Sequence, residues 1–357
     1  MEKFVLNLSN CKCDIIIGQD ILGNLKSTIE NNKCFFVIDK FIYEKFYDIY
    51  FKEILCNVSL EDIYLFECNE KNKDIDNALL IIKKLNFRNH LRNSVLIGIG
   101  GGIIGDIVGF VSSVYMRGIK FINVPTTFLA QIDSSIGGKN ALNIKECKNL
   151  IGTFYHPKEI IIDTKFLNTI SKRELVSGLA EAIKYGIVFE YEFLDYIKNN
   201  LDNILNLDVD VMKKVVLKSC KFKTNIVEQD EYDFSLRKIL NYGHTIGHAL
   251  ESVTNYSLYT HGEAVFVGMF YETCIAYEIG IIDEEYFNYI MDILKKFRVS
   301  IDVSLFSSDL FYEALLRDKK NKSEKISFIL PTGCSKVLEY MFSLDEVKKI
   351  NYSRHCF

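Results

Sequence analysis

The stretch Val95-Leu96-Ile97-Gly98-Ile99-Gly100-Gly101-Gly102-Ile103-Ile104-Gly105-Asp106 decides the fold. An apolar run enters a glycine-dense turn, and the turn opens into an apolar helical segment. A run apolar on both faces and bounded by turn residues suits a buried parallel strand. Gly100, Gly102 and Gly105 satisfy the spacing G-x-G-x-x-G, in which glycine lets backbone N–H groups approach a pyrophosphate at a helix N-terminus. The plain alternative is a strand-to-helix turn without a ligand. No Asp or Glu lies between Asp106 and Asp133, where the ribose-binding acid of a standard dinucleotide site is expected. Asp39, at the end of an earlier strand, is the substitute candidate.

Outward from this turn, Phe35-Phe36-Val37-Ile38, Phe121-Ile122-Asn123-Val124 and Ile160-Ile161-Ile162 repeat the pattern, each stopping at an Asp or a Pro. Helix-period segments lie between them. Residues 1–170 therefore read as an α/β, Rossmann-like domain with a mostly parallel sheet. From Ser171 the texture changes. Ser171-Lys172-Arg173-Glu174 matches a capping box and opens a helix carrying Leu175, Leu179, Ala182 and Ile183. Helical periodicity dominates through 190–225, 240–255, 262–280 and 284–297, and only Ile326 to Leu330 reads as a strand. Residues 171–357 are expected to form a mainly α-helical domain, and two domains abutting without a linker usually enclose a cleft.

Composition bounds the function. At 357 residues and 41.2 kDa, with 48% apolar and 25% charged residues, the chain has a full core and length for about two domains. Net charge is −4 with no long basic block, so nucleic acid is not an expected partner. The longest apolar run, Val95 to Met116, is broken by Asp106 and six glycines, which argues against a membrane span. Ten scattered cysteines without a Cys-x-x-Cys, and an N-terminus with no apolar leader, point to a reducing, cytoplasmic setting.

Two further clusters carry chemistry. Pro125-Thr126-Thr127 through Asp133-Ser134-Ser135-Ile136-Gly137-Gly138-Lys139-Asn140 follows a strand, at the sheet end where ligands bind, and offers hydroxyls, a carboxylate and an ammonium. A polar loop is the bland alternative. In the second half, three of six histidines fall within Asn241-Tyr242-Gly243-His244-Thr245-Ile246-Gly247-His248 and His261-Gly262-Glu263. His244 and His248 are one helical turn apart, so spacing alone makes both of them metal ligands. Glu181, on a mostly apolar helix, is costly unless paired. Lys184 offers it a simple i,i+3 salt bridge.

Taken together, Gly100-Gly101-Gly102 with Gly105-Asp106, Pro125-Thr126-Thr127, Asp133-Ser134-Ser135 with Gly137-Gly138-Lys139, Gly178-Leu179-Ala180-Glu181 with Lys184-Tyr185-Gly186, the Asn241 to Ala249 stretch and His261-Gly262-Glu263-Ala264-Val265 resemble the 3-dehydroquinate synthase family of sugar-phosphate cyclases. The resemblance covers nearly the whole chain, in the family's order. It implies a Zn2+ or Co2+ ion held by Glu181, His244 and His261. It moves His248 off the metal to proton handling, in a catalytic group with Lys184, Asp233 and Asn241. It implies NAD at Asp39, Glu70, Lys73, Gly101, Gly102, Asp106, Thr126, Thr127, Lys148, Phe166, Leu167, Asn168 and Thr169. Substrate would meet Arg117, Asp133, Lys139, Asn149, Lys184, Lys223, Arg237, Asn241 and Lys319 or Lys320. Four positions depart from the family: Cys147 replaces a glycine, Asp233 replaces a glutamate, and Lys40-Phe41 replaces more polar residues.

The implied reaction converts 3-deoxy-D-arabino-heptulosonate 7-phosphate to 3-dehydroquinate and phosphate, a step of the shikimate pathway to aromatic amino acids. It runs by transient oxidation, phosphate elimination, re-reduction, ring opening and aldol closure. The implied partners are this small sugar phosphate and a second copy of the chain, as a homodimer. Other sugar-phosphate cyclases, and metal-dependent polyol or glycerol-phosphate dehydrogenases of the same architecture, are the alternatives.

Overall fold

The computed structural model describes residues 1–145, 147–297, 299–317 and 325–350. Lys319 and Lys320 lie outside the described residues. The chain forms two compact units, Met1–Ser171 with Leu207–Tyr232, and Lys172–Asn206 with Asp233–Phe357.

In chain order the first unit holds β1 (Glu2–Asn7), β2 (Lys12–Gly18), α1 (Leu25–Asn31), β3 (Cys34–Asp39), α2 (Lys40–Phe46), α3 (Lys52–Ile54), β4 (Ile63–Phe66), α4 (Ile75–Phe87), β5 (Val95–Gly100), α5 (Gly102–Val114), β6 (Lys120–Pro125), β7 (Lys139–Ile144), β8 (Cys147–Phe154) and β9 (Glu159–Asp163). Among the described residues, seven strands form one sheet in the order β1-β2-β9-β6-β5-β3-β4. All neighbours are parallel except β1 on β2. Alternation along the central strands supplies two cores. Phe36, Ile38, Ile97 and Ile99 pack on one face, and Phe35, Val37 and Leu96 on the other. Burial on both faces is why these strands read as unbroken apolar runs.

The chain goes from β3 outward to β4, then returns to β5 on the other side of β3. That reversal makes a crevice at the carboxyl ends of β3 and β5, the place where open α/β sheets bind ligands. Asp39 ends β3 and Gly100 ends β5. A Cβ on Gly100 would lie 3.3 Å from Asp39 Cβ, so the two are immediate neighbours there.

The next elements are α6 (Lys172–Phe189), α7 (Tyr191–Asn199), α8 (Leu201–Leu205), α9 (Val209–Gln229), α10 (His244–Val253), α11 (His261–Glu278), α12 (Glu284–Leu294), α13 (Asp309–Arg317), β10 (Lys325–Gly333), β11 (Lys336–Ser343) and α14 (Leu344–Lys348). One of them corrects the expected division of the chain. α9 packs beside β1, β2 and residues 130–134, so it belongs to the first unit although it follows residue 171. The second unit is mainly helical, with β10 and β11 as an antiparallel hairpin where the sequence suggested one strand. Among the described residues no helix is long and apolar enough to cross a membrane.

Candidate metal centre and nucleotide crevice

In the second unit, α6 is buried along Leu179–Val188, and Glu181 within it is fully enclosed. An ionised carboxylate in such a place needs partners. Lys184, one turn on, forms an ion pair with it. His244 opens α10 and His261 opens α11, and their Nε2 atoms stand 3.4 and 3.6 Å from Glu181 Oε1. Three helices thus deliver three donors to one point. Two ligand atoms about 2.1 Å from a tetrahedral ion are about 3.4 Å apart. The set therefore fits a divalent ion in both donor type and spacing.

The far side of each ring is held as well. His244 Nδ1 is 3.1 Å from the Tyr242 carbonyl, and His261 Nδ1 is 3.3 Å from Glu251 Oε2. An acceptor at Nδ1 keeps a proton there and leaves Nε2 as the ring atom that an ion would take. Burial pushes the His244 imidazole well below its usual range, and Lys184 and the neighbouring histidines push the same way. At His261 burial acts in that direction too, but hydrogen bonds to Glu181 and Glu251 outweigh it and hold the pKa up at about 10. The buried carboxylate draws positive charge to itself.

Helical spacing alone suggests another pair, His244 with His248. His248 shares a helix with His244, and their ring centroids are 5.2 Å apart, yet the donor triangle with Glu181 is completed by His261. His248 instead groups with Glu251 and His261 at a more exposed position. His244 reaches Glu181 from the first turn of α10, whereas His248, one turn later, is exposed. Nearby in chain, Asp233 adopts a left-handed backbone (φ 58°), Arg237 is buried, and Asn241 donates to the Lys238 carbonyl at 2.9 Å.

The first unit gathers the other expected residues around α5. Gly101 precedes that helix with no side-chain cap, leaving its first-turn N–H groups for an anion. The turn is tight: a Cβ on Gly101 would lie 3.0 Å from Thr127 Cγ2, and one on Gly102 3.2 Å from Ser134 Oγ. Thr126 Oγ1 is buried with no hydrogen-bond partner among the described residues. These features fit a bound phosphate better than a plain turn. Asp39 caps α2 by accepting the Phe41 N–H at 2.9 Å.

Lys73 is buried, paired with Asp106, and donates to Asn149 Oδ1 at 2.7 Å. Burial raises the Asp106 carboxyl to about 6, with Lys73 acting against it. Lys148 stands 3.6 Å from Glu70. Asp133 accepts from Lys223 of α9 at 2.6 Å. Arg117 follows Met116 in a left-handed run (φ 63° and 52°), and Lys139 is exposed at the start of β7.

Phe166 and Leu167 can serve a nucleotide only through their backbone. Their side chains are buried, Phe166 against Phe46 at 4.8 Å, so only backbone atoms, Asn168 and Thr169 remain for a ligand. Two residues were missed. Glu251 lies seven residues after His244, on its face of α10, a spacing that could have flagged it. Asn143 donates its amide to the Glu70 carbonyl and Oε1, accepts the Asn149 backbone N–H on Oδ1 and donates its own backbone N–H to the Lys73 carbonyl, and no sequence pattern marks it.

The family model described as 3-dehydroquinate synthase N-terminal matches residues 63–177, and the one described as 3-dehydroquinate synthase C-terminal matches 178–321. The chain belongs to the 3-dehydroquinate synthase family. A 3-dehydroquinate synthase of Alkaliphilus metalliredigens is 44% identical over 354 residues, covering 99% of both chains. Solved structures of related cyclases share the fold of this family member. A 2-deoxy-scyllo-inosose synthase complexed with carbaglucose-6-phosphate, NAD+ and Co2+ has a TM-score of 0.86 at 24% identity, covering 98% of each chain. A 2-epi-5-epi-valiolone synthase of Streptomyces hygroscopicus with NAD+ and Zn2+ bound has a TM-score of 0.83 at 22% identity, covering 96% of each.

Proposed function

We propose that this chain is an enzyme converting 3-deoxy-D-arabino-heptulosonate 7-phosphate to 3-dehydroquinate and phosphate, using NAD and a divalent ion such as Zn2+ or Co2+. The observation that carries the metal part is the triangle of Glu181 Oε1, His244 Nε2 and His261 Nε2, whose edges from Glu181 are 3.4 and 3.6 Å. Bound there, the ion supplies Lewis acidity toward the substrate's hydroxyl oxygens, and NAD supplies a hydride acceptor that is regenerated within the turnover.

The chain's own residues do the rest. Glu251 holds the His261 Nδ1 proton and the Tyr242 carbonyl holds that of His244, so both rings keep one tautomer and one orientation. His248, exposed and outside the Glu181 triangle, is assigned the movement of a proton rather than the ion on this reading. Lys184, Arg237 and Asn241 supply cationic and amide donors in this unit. In the first unit, the uncapped α5 N-terminus, Thr126 and Thr127 bind the nucleotide's phosphates, and Asp39 binds its ribose across the crevice. A carboxylate at the ribose repels a 2′-phosphate, which selects NAD over NADP. Lys139 and Arg117 serve the anionic substrate, phosphate above all.

The experiment is a substrate panel read by phosphate release. The heptulosonate phosphate should release one phosphate per molecule consumed and yield 3-dehydroquinate. Turnover of another sugar phosphate with the heptulosonate inert would assign the chain to a sibling cyclase instead.

A further inference from the structure

α10 lacks the usual start of a helix. Its N-cap is Gly243, left-handed at φ 81°, which has no side chain to cap the first turn. The cap comes instead from α11. Glu272, fully buried, accepts the Gly243 N–H on Oε2 at 2.6 Å and the Ile246 N–H on Oε1 at 3.4 Å. Three neighbours on the same face of α11 hold the same corner. The Tyr242 hydroxyl meets Thr273 Oγ1 at 2.5 Å and donates to the Met269 carbonyl at 3.2 Å. Gly268 packs so close that a Cβ on it would lie 1.8 Å from the Gly243 carbonyl oxygen.

The corner so gripped is the one that carries His244. The Tyr242 carbonyl holds His244 Nδ1, and His244 is the first residue of the capped helix. α11 itself begins at His261. One helix therefore presents one donor at its N-terminus and clamps the turn presenting the other, with Glu272 about 16 Å along its axis from His261. Position 243 is buried and left-handed, and a Cβ there would lie 2.5 Å from Met269 Cγ, so the cap comes from an enclosed carboxylate on α11, a costly way to make a helix start. It is an effective way to tie the turn before His244 to the helix that starts with His261.

We propose that Glu272 is a positioning residue that sets His244 against His261 and Glu181 by capping α10 from α11. This rests on the reading of those three residues as metal ligands. Replacing one carboxylate oxygen by an amide, as in Glu272→Gln, leaves the volume but points an N–H donor at a backbone N–H. Groups that orient metal ligands in this way typically change affinity by about 10–100-fold when altered.

The test uses the full chain stripped of metal and titrated with Co2+ alone, by competition with a chromophoric chelator and by the visible absorption of the bound Co2+. Parent, Glu272→Gln, Glu272→Asp, His244→Ala and Ile293→Val are compared. Ile293→Val trims a buried side chain of α12 and serves as the destabilised control. The expected result is a loss of Co2+ affinity of about tenfold or more and shifted absorption bands in Glu272→Gln, with a smaller change in Glu272→Asp and none in Ile293→Val. Unchanged affinity and bands in Glu272→Gln, with binding lost in His244→Ala, would overturn the proposal and leave the ligand assignment standing. Should Glu272→Gln not fold, unchanged affinity and bands in Glu272→Asp would overturn it equally. Co2+ bound unchanged by His244→Ala would overturn the ligand assignment and the proposal with it.

Discussion

Removing one donor from the Glu181, His244 and His261 triangle leaves two, too few to hold an ion tightly. His244→Ala, His261→Ala and Glu181→Gln are expected to lose bound metal and activity while keeping their secondary structure. The glutamine is used because alanine would strand the buried Lys184 ammonium. His248→Ala should keep its metal and lose rate by about 10²–10⁴-fold. Metal analysis of the four purified variants, beside circular dichroism, checks this. Metal lost with His248→Ala and kept with His261→Ala would restore the reading that spacing alone suggests. At this scale the sequence was legible by motif and illegible by geometry. The i,i+4 pair of His244 and His248 is a genuine helical face, but which partner each ring meets depends on α6 and α11, about 65 residues upstream and one turn-and-loop downstream. Glu272 was beyond reach for the same reason: its acceptor role exists only once α10 lies against α11.

Among the elements, buried parallel strands declared themselves because both faces are apolar. β3, β5, β6 and β9 could be read directly. β1, the β7–β8 hairpin and β11 could not, because no unbroken buried apolar run marks them, whereas the buried Ile15-Ile16-Ile17 run of β2 was as legible as that of β9. β8, exposed at most of its length, is the extreme case. The glycine pattern around α5 held more than phosphate chemistry. Gly109, three residues beyond Asp106, faces Asn140 so closely that a Cβ would lie 1.9 Å from its Oδ1. Asn140 has little room to retreat, since its amide donates to the Gly138 and Tyr155 carbonyls at 2.8 and 2.9 Å. Gly109→Ala should therefore cost about 1–3 kcal/mol through overpacking despite alanine's better helix propensity. Denaturant unfolding reads this directly, and a stabilised variant would contradict the packing.

At the scale of the whole molecule, pH acts through buried groups away from the metal centre. His90 is fully enclosed in the first unit, its Nε2 3.0 Å from Asp62. Burial holds the imidazole below its usual pKa even though Asp62 pulls the other way. The unfolded chain therefore takes up this proton first as pH falls. Stability from His90 is present above about 6.5 and is lost below it. At Asp62 burial raises the carboxyl, but hydrogen bonds from Arg88 and His90 outweigh it and hold its pKa low. Its contribution is present above about 4 and is lost on further acidification, in the same direction. Unfolding midpoints of parent and His90→Asn across pH 5–8 should show a shallower acid slope in the variant, and parallel slopes would remove His90 from the account.

Which unit a helix joins was also a whole-molecule question. α9 has ordinary helical periodicity, and nothing local says that Lys223 will meet Asp133 and not the second unit's residues.

In the proposed reaction one chain oxidises and then re-reduces its own substrate. A dehydrogenase must release NADH at every turnover, whereas a cyclase returns the hydride before product leaves. The most direct measurement mixes the metal-loaded enzyme, NAD+ and the heptulosonate phosphate, and follows phosphate and reduced-nicotinamide absorbance together. Phosphate should rise in proportion to substrate consumed while the absorbance reaches a small plateau bounded by the enzyme concentration. Continuing NADH accumulation without phosphate release would contradict the account.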